Sequence, residues 1–157
     1  ISRNLRAPFN RHYGFRRLQE YHAQPRSLVE TVDWAMNFGG GYFAVKTLQI
    51  PAEITALARA VEALKPKIIL EIGTARGGTL LIWSRLAAEK VITCDLQDMR
   101  VQAPLFQAFP PPGSNCKVTL LSGNSHAASF KQRVAQDRHY PCAGVGSSSA
   151  NSLSFLS

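Results

Sequence analysis

Apolar and polar positions divide this chain into a weakly patterned beginning, a strongly patterned middle and an unpatterned tail. In the middle, Pro51 opens a helix. Proline suits a first helical turn, where its missing N–H would have no partner. Ile54, Leu57, Ala58, Val61 and Leu64 follow at helical spacing and give one apolar face. Pro66 stops the helix, because the residue before a proline avoids the α region. A nearly continuous apolar run over 67–72 then reads as a strand buried on both faces. A second helix is expected over 78–88, with Leu80, Leu81, Trp83, Leu86 and Ala87. Strands are expected over 91–95 and 118–121. Ser125 is positioned to cap a helix over 126–136 that turns Phe130 and Val134 inward. Alternating strands and helices predict an α/β domain.

The flanks are less regular. Residues 1–41 lack a firm period, although Ser27 can cap a short helix over 27–37 with Leu28, Val29, Val32 and Met36 on one face. Gly39, Gly40 and Gly41 break it. Residues 99–114 hold Phe106 and Phe109, which can pack, and a Pro110–Gly113 stretch that must be loop. Residues 139–157 carry no Asp, Glu, Lys or Arg and show neither period, so an unstructured tail is expected.

With 157 residues, 45% of them hydrophobic, the chain is long enough for one core. No apolar run approaches the ~20 residues of a membrane span. Cys94, Cys116 and Cys142 lie far apart with no metal-ligand spacing, which argues against a zinc site and fits a reducing cytoplasm. The formal charge is +8, and much of it lies between Arg3 and Arg26. Such an arm suits a polyanion. The expectation here is a solvated, partly disordered leader instead, with nucleic acid disfavoured as a partner.

Chemistry concentrates at the first strand's end, in Glu71-Ile72-Gly73-Thr74-Ala75-Arg76-Gly77-Gly78-Thr79. Strand, glycine-rich turn and helix in this order bring a nucleotide-like ligand to the carboxyl edge of a sheet. Two chemistries compete. The dinucleotide pattern G-x-G-x-x-G fits only with Ala75 in its middle position. The acid-x-G-x-G-x-G pattern used for S-adenosylmethionine fits Glu71, Gly73, Ala75 and Gly77 with one alanine for glycine. Glu71 favours the second, since a carboxylate attracts a ligand bearing ammonium and sulfonium charge. Asp95 ends the second strand about 20 residues on, where an acid can hold ribose hydroxyls. Asn124 or Ser125 can bond an adenine edge. Arg76, Asp98 and His126 border the same region, His126 being a candidate base; each also reads as an ordinary exposed residue. Trp34 and Trp83 read as core.

Together, Leu70 to Thr79, Thr93-Cys94-Asp95-Leu96 and Ser122-Gly123-Asn124-Ser125-His126 resemble class I S-adenosylmethionine-dependent methyltransferases, in the branch of cephalosporin hydroxylase-like proteins. The likeness covers 51–136. It implies a Rossmann-like parallel sheet of order 3-2-1 and methyl transfer to a small-molecule or sugar-like acceptor. It also implies cofactor contacts from Glu71, Gly73, Thr74, Ala75, Gly77, Asp95, Asn124 and Ser125. Members of the family continue into a fourth strand ending in acids that bind a metal or sit near the reacting group. Nothing after Asp137 matches it, as in a truncated or frameshifted product. No catalytic residue or metal ligand is therefore nominated.

These readings divide the chain into a basic arm with a short helix (1–48), a partial cofactor-binding domain (49–138) and a tail (139–157). An incomplete sheet of about three strands would leave the first strand's edge uncovered and open to self-association unless the tail or a partner covers it. Two other functions stay open: an NAD-binding oxidoreductase fragment, and a non-catalytic basic binding module.

Overall fold

The computed structural model describes residues 3–39, 45–139 and 153–156, without the side chains of 3–11, 138–139 and 153–156. The breakers Gly40 and Gly41, and most of the expected tail, lie outside the described residues. In chain order the elements are α1 (Arg3–His22), α2 (Leu28–Asn37), α3 (Pro51–Leu64), β1 (Ile68–Ile72), α4 (Gly78–Leu86), β2 (Lys90–Asp95), α5 (Ala103–Phe106), β3 (Lys117–Ser122), α6 (Ala128–His139) and β4 (Leu153–Leu156).

Strands β1, β2 and β3 are parallel and lie in the expected order 3-2-1. Their side chains alternate between two layers. Ile69, Val91 and Val118 join a larger core with α2, α3 and α4. Leu70, Ile92, Cys94 and Leu121 join a smaller one under Phe130 of α6. Both faces are covered, so near-continuous apolar strands are stable here. Leu80, Leu81, Ile82 and Trp83 of α4 are all buried, which places that helix between the sheet and the helices outside it.

The expected unstructured tail differs at one point. Leu153–Leu156 runs parallel to β1, with Ile68 opposite Leu153 and Glu71 opposite Leu156, and extends the sheet to β3-β2-β1-β4. It occupies the edge of β1 that the sequence reading left uncovered. A strand edge rewards any short extended segment with backbone hydrogen bonds, and the absence of charge in Ser152–Leu156 permits it.

The expected disordered leader is also corrected. Its residues from Arg3 onward form α1, and Leu18 and Tyr21, three positions apart, are buried in the larger core. Arg17 donates to the Phe38 carbonyl at 3.0 Å, pairs with Glu20 and lies 4.2 Å over the Trp34 ring. Part of the basic charge is therefore spent on packing. His22 is likewise ordered, with Nε2 3.2 Å from the Phe109 carbonyl oxygen, and burial lowers its pKa.

Smaller differences concern helix faces and ends. Ser27 caps α2 as expected, in a reciprocal pair with Glu30. Thr31 and Ala35 replace Val29 on its buried face. Leu57 and Leu64 of α3 are exposed, leaving Ile54, Ala58 and Val61 as its buried stripe. Ser125 does not cap α6, which begins at Ala128 after a turn in which the His126 N–H donates to Asn124 Oδ1 at 2.9 Å.

Candidate cofactor site

Parallel pairing puts the ends of β1, β2 and β3 at one rim: Ile72 lies opposite Cys94, and Asp95 opposite Ser122. The glycine-rich turn is fastened there. Gly73 and Thr74 donate their N–H groups to the Cys94 carbonyl at 2.7 and 3.2 Å, and Gly123 donates to the Asp95 carbonyl at 2.8 Å. Asp95 Oδ2 accepts the Ala75 N–H at 2.7 Å, and Oδ1 accepts the Gln97 N–H at 2.9 Å. Turn and carboxylate thus hold each other at the rim.

Two clefts open along it. One, of about 190 Å³, is lined by Ile72, Gly73, Cys94, Asp95, Leu96 and residues 123–126. The other, of about 300 Å³, is lined by Gln49, Glu53, Ile54, Leu57, Glu71, Ile72, Gly73, Thr79 and Trp83. They share Ile72 and Gly73, so a ligand crossing Gly73 would occupy both. Gly73 has φ +93°, and a Cβ built on it would meet nothing within 4 Å. It leaves open space where a side chain would stand.

The other glycines of the motif serve the fold. Gly77 starts α4 with φ +72°, and a Cβ there would lie 2.6 Å from the Phe106 ring. A Cβ on Gly78 would lie 2.2 Å from Thr47 Oγ1 and 2.4 Å from Thr47 N. The segment around Thr47 crosses there, with Lys46 bridged to Gly77. Thr74 is buried, its hydroxyl 2.5 Å from that of Thr93. Neither Thr74, Ala75 nor Gly77 lines a cleft. Any contact from these three to a ligand would depend on the backbone of the turn.

Glu71 is 4% exposed and lies on the α4 side of β1. Its carboxylate accepts hydrogen bonds from Trp83 Nε1 at 3.0 Å, Thr93 Oγ1 at 2.5 Å and Thr79 Oγ1. Burial raises its pKa, and the three donors counter this only in part. Cys94 is buried beneath the rim, its thiol pushed up to about 11 by burial and by Glu71, which makes it a poor nucleophile.

Of the bordering residues, Ser125 and His126 line the smaller cleft with Asn124. Asp98 pairs instead with Arg100 at 2.7 Å, which holds its carboxyl below the ordinary range. Arg76 lines neither cleft. The sequence reading missed Gln49, Glu53 and Leu57, which come from α3 and the loop before it. The one signal was an acid in the first turn after Pro51, which also reads as a favourable helix-dipole charge.

A larger cavity of about 610 Å³ lies at the opposite rim, among Tyr21, His22, Arg26, Arg85 and the 111–114 loop. Its guanidinium groups are already engaged. Arg85 donates to the Arg26 carbonyl at 2.9 and 3.2 Å, and Arg26 to the Tyr21 and Glu20 carbonyls at 3.3 Å. Among the described residues, no three His, Cys, Asp or Glu side chains converge to hold a metal, and no helix is long and apolar enough to cross a membrane.

The rim with its glycine turn and two carboxylates has a counterpart among known families. The family model described as rhamnosyl O-methyltransferase/CmcI matches residues 33–142. The chain belongs to this methyltransferase family. The match reaches beyond the motif-bearing segment on both sides and takes in the second half of α2, a helix that packs on α3 and α4. No curated protein and no solved structure matches the chain.

Proposed function

We propose that the chain binds S-adenosylmethionine across the two clefts and belongs to an enzyme that methylates a hydroxyl of a small, sugar-like acceptor. One observation carries the cofactor reading. The chain has a formal charge of +8, yet its two clefts hold Asp95 and Glu53, with Glu71 buried in the wall, and no Lys or Arg. A dinucleotide needs donors for its pyrophosphate, whereas a ligand with a sulfonium and an ammonium is drawn to carboxylates. The residues fit such a ligand, because Gly73 leaves open space between the two clefts where a side chain would stand.

Asp95 is the group for the ribose hydroxyls. Each of its oxygens accepts one backbone N–H, and each keeps a further lone pair. Asn124 and Ser125 border the same cleft and are the groups for the adenine edge. Gly73 lets the backbone approach the middle of the cofactor. Glu71 acts by keeping Trp83 and Thr79 in place in the wall of the second cleft, with buried Thr93 behind it. When bound, the cofactor supplies an electrophilic methyl group. The protein's contribution is then chiefly positioning, which can supply a large part of the rate. The buried thiols Cys94 and Cys116, not joined in a disulfide, suit a reducing cytoplasm.

Calorimetric titration of the full chain with S-adenosylhomocysteine and, separately, with NAD tests this reading. S-adenosylhomocysteine should bind, and Asp95→Ala should weaken it by about tenfold or more, the scale of a charge-assisted hydrogen bond. Binding of NAD in its place would favour the oxidoreductase reading. Binding of neither would remove the cofactor reading.

A further inference from the structure

Glu71 is poorly suited to the charge role its place in the motif suggests. Three side-chain donors already surround its carboxylate, and burial favours its neutral form. Glu53 lines the same cleft from the first turn of α3 and is exposed. Neither the Glu53 side chain nor that of Gln49 beside it has a hydrogen-bonding or ionic partner among the described residues. Its oxygens are therefore available to a ligand. The ends of the assembled site are distinct. Asp95 and Asn124 mark the nucleoside cleft, so the Glu53 cleft beyond Gly73 receives what extends from the ribose.

Resting on the cofactor reading above, we propose that Glu53, assisted by the Gln49 side chain, binds the α-ammonium of the cofactor's amino-acid end. In this arrangement Glu71 fixes the cleft wall while Glu53 supplies the charge. An ammonium has three N–H donors, and a carboxylate with a neighbouring amide carbonyl can accept them. Leu57 and Ile54 line the same cleft and suit the intervening methylene groups.

The test compares two probes that share a nucleoside and a thioether. S-adenosylhomocysteine carries the ammonium, and 5′-methylthioadenosine lacks the whole amino-acid end. Calorimetry on the full chain should show Glu53→Gln weakening S-adenosylhomocysteine roughly tenfold and leaving 5′-methylthioadenosine unchanged. Because the Glu53 side chain is exposed and has no partner among the described residues, the variant should melt only slightly below wild type, its one loss being a favourable charge at the α3 N-terminus. Glu71→Gln should alter both probes alike, since it acts through the wall. Equal loss of both probes in Glu53→Gln, or no loss of S-adenosylhomocysteine, would overturn the assignment while leaving the cofactor reading intact. Failure of wild type to bind either probe would overturn both.

Discussion

The two ends of the glycine-rich turn differ in what their glycines face. At Gly73 the missing side chain leaves open space between two clefts. At Gly77 and Gly78 the corresponding space is filled by Phe106 and by the backbone around Thr47. A short motif thus does two jobs. Its first glycine leaves open space at the rim, and its last two allow a helix to start against a crossing segment. Glycine spacing alone cannot separate these uses, because the backbone freedom required is the same.

The difference can be broken most severely at Gly78. Gly78→Ala forces a Cβ against backbone atoms that cannot swing away. Urea denaturation should show a loss of about 3 kcal/mol or no folded protein, at the upper end of overpacking costs. A ligand is not needed to see it. A Gly78→Ala protein as stable as wild type would mean that the crossing segment is not where it is described.

Glu71→Ala should come next, at about 2–3 kcal/mol, because it strands the buried Trp83, Thr79 and Thr93 donors. Glu71→Gln should cost less, since its carbonyl still accepts from Trp83 and Thr79 and the Thr93 hydroxyl can turn to accept from the amide. This pair of variants also fixes the sign of a pH effect. The fold holds the Glu71 carboxyl above its ordinary value of 4.5, so the folded chain keeps a proton that the unfolded chain releases. That contribution is complete below the unfolded value and is lost as pH rises through the folded one. Denaturation midpoints should therefore show wild type losing stability relative to Glu71→Gln as pH is raised from 4.5. The opposite slope would mean that the three donors outweigh burial.

The smallest effect is expected at Ala75, which has φ +46° without being glycine. Ala75→Gly should relieve that conformation and raise stability by a few tenths of a kcal/mol, up to about 1. Thermal melts resolve a change of that size.

Much of this was legible in the sequence. The order of β1, α4, β2 and β3, the stop at Pro66 and the Ser27 cap follow from local rules that the tertiary structure did not override. The placement of Glu71 and Asp95 at one rim followed from parallel strands. Three features were not legible. Helix α1 is so rich in arginine that its buried positions among the described side chains, Gly14, Leu18 and Tyr21, do not make a hydrophobic periodic signal. Strand β4 depends on an edge supplied by residues 85 positions earlier. The cleft wall at Gln49 and Glu53 arises where α3 packs against α2 and α4, and no local pattern announces a contact between elements. The role of Glu71 changed for a similar reason. Its position in the motif was plain, but its three donors come from α4 and β2.

The contrast between Gly73 and its neighbours is tested most directly by titrating Gly73→Ala with S-adenosylhomocysteine beside wild type, with melting curves of both. The account predicts a variant destabilised by only about 1 kcal/mol, the cost of a left-handed non-glycine residue, whose affinity is lower by about tenfold or more. An alanine variant that binds as tightly as wild type would contradict it, for the open space at Gly73 would then not be where the cofactor lies.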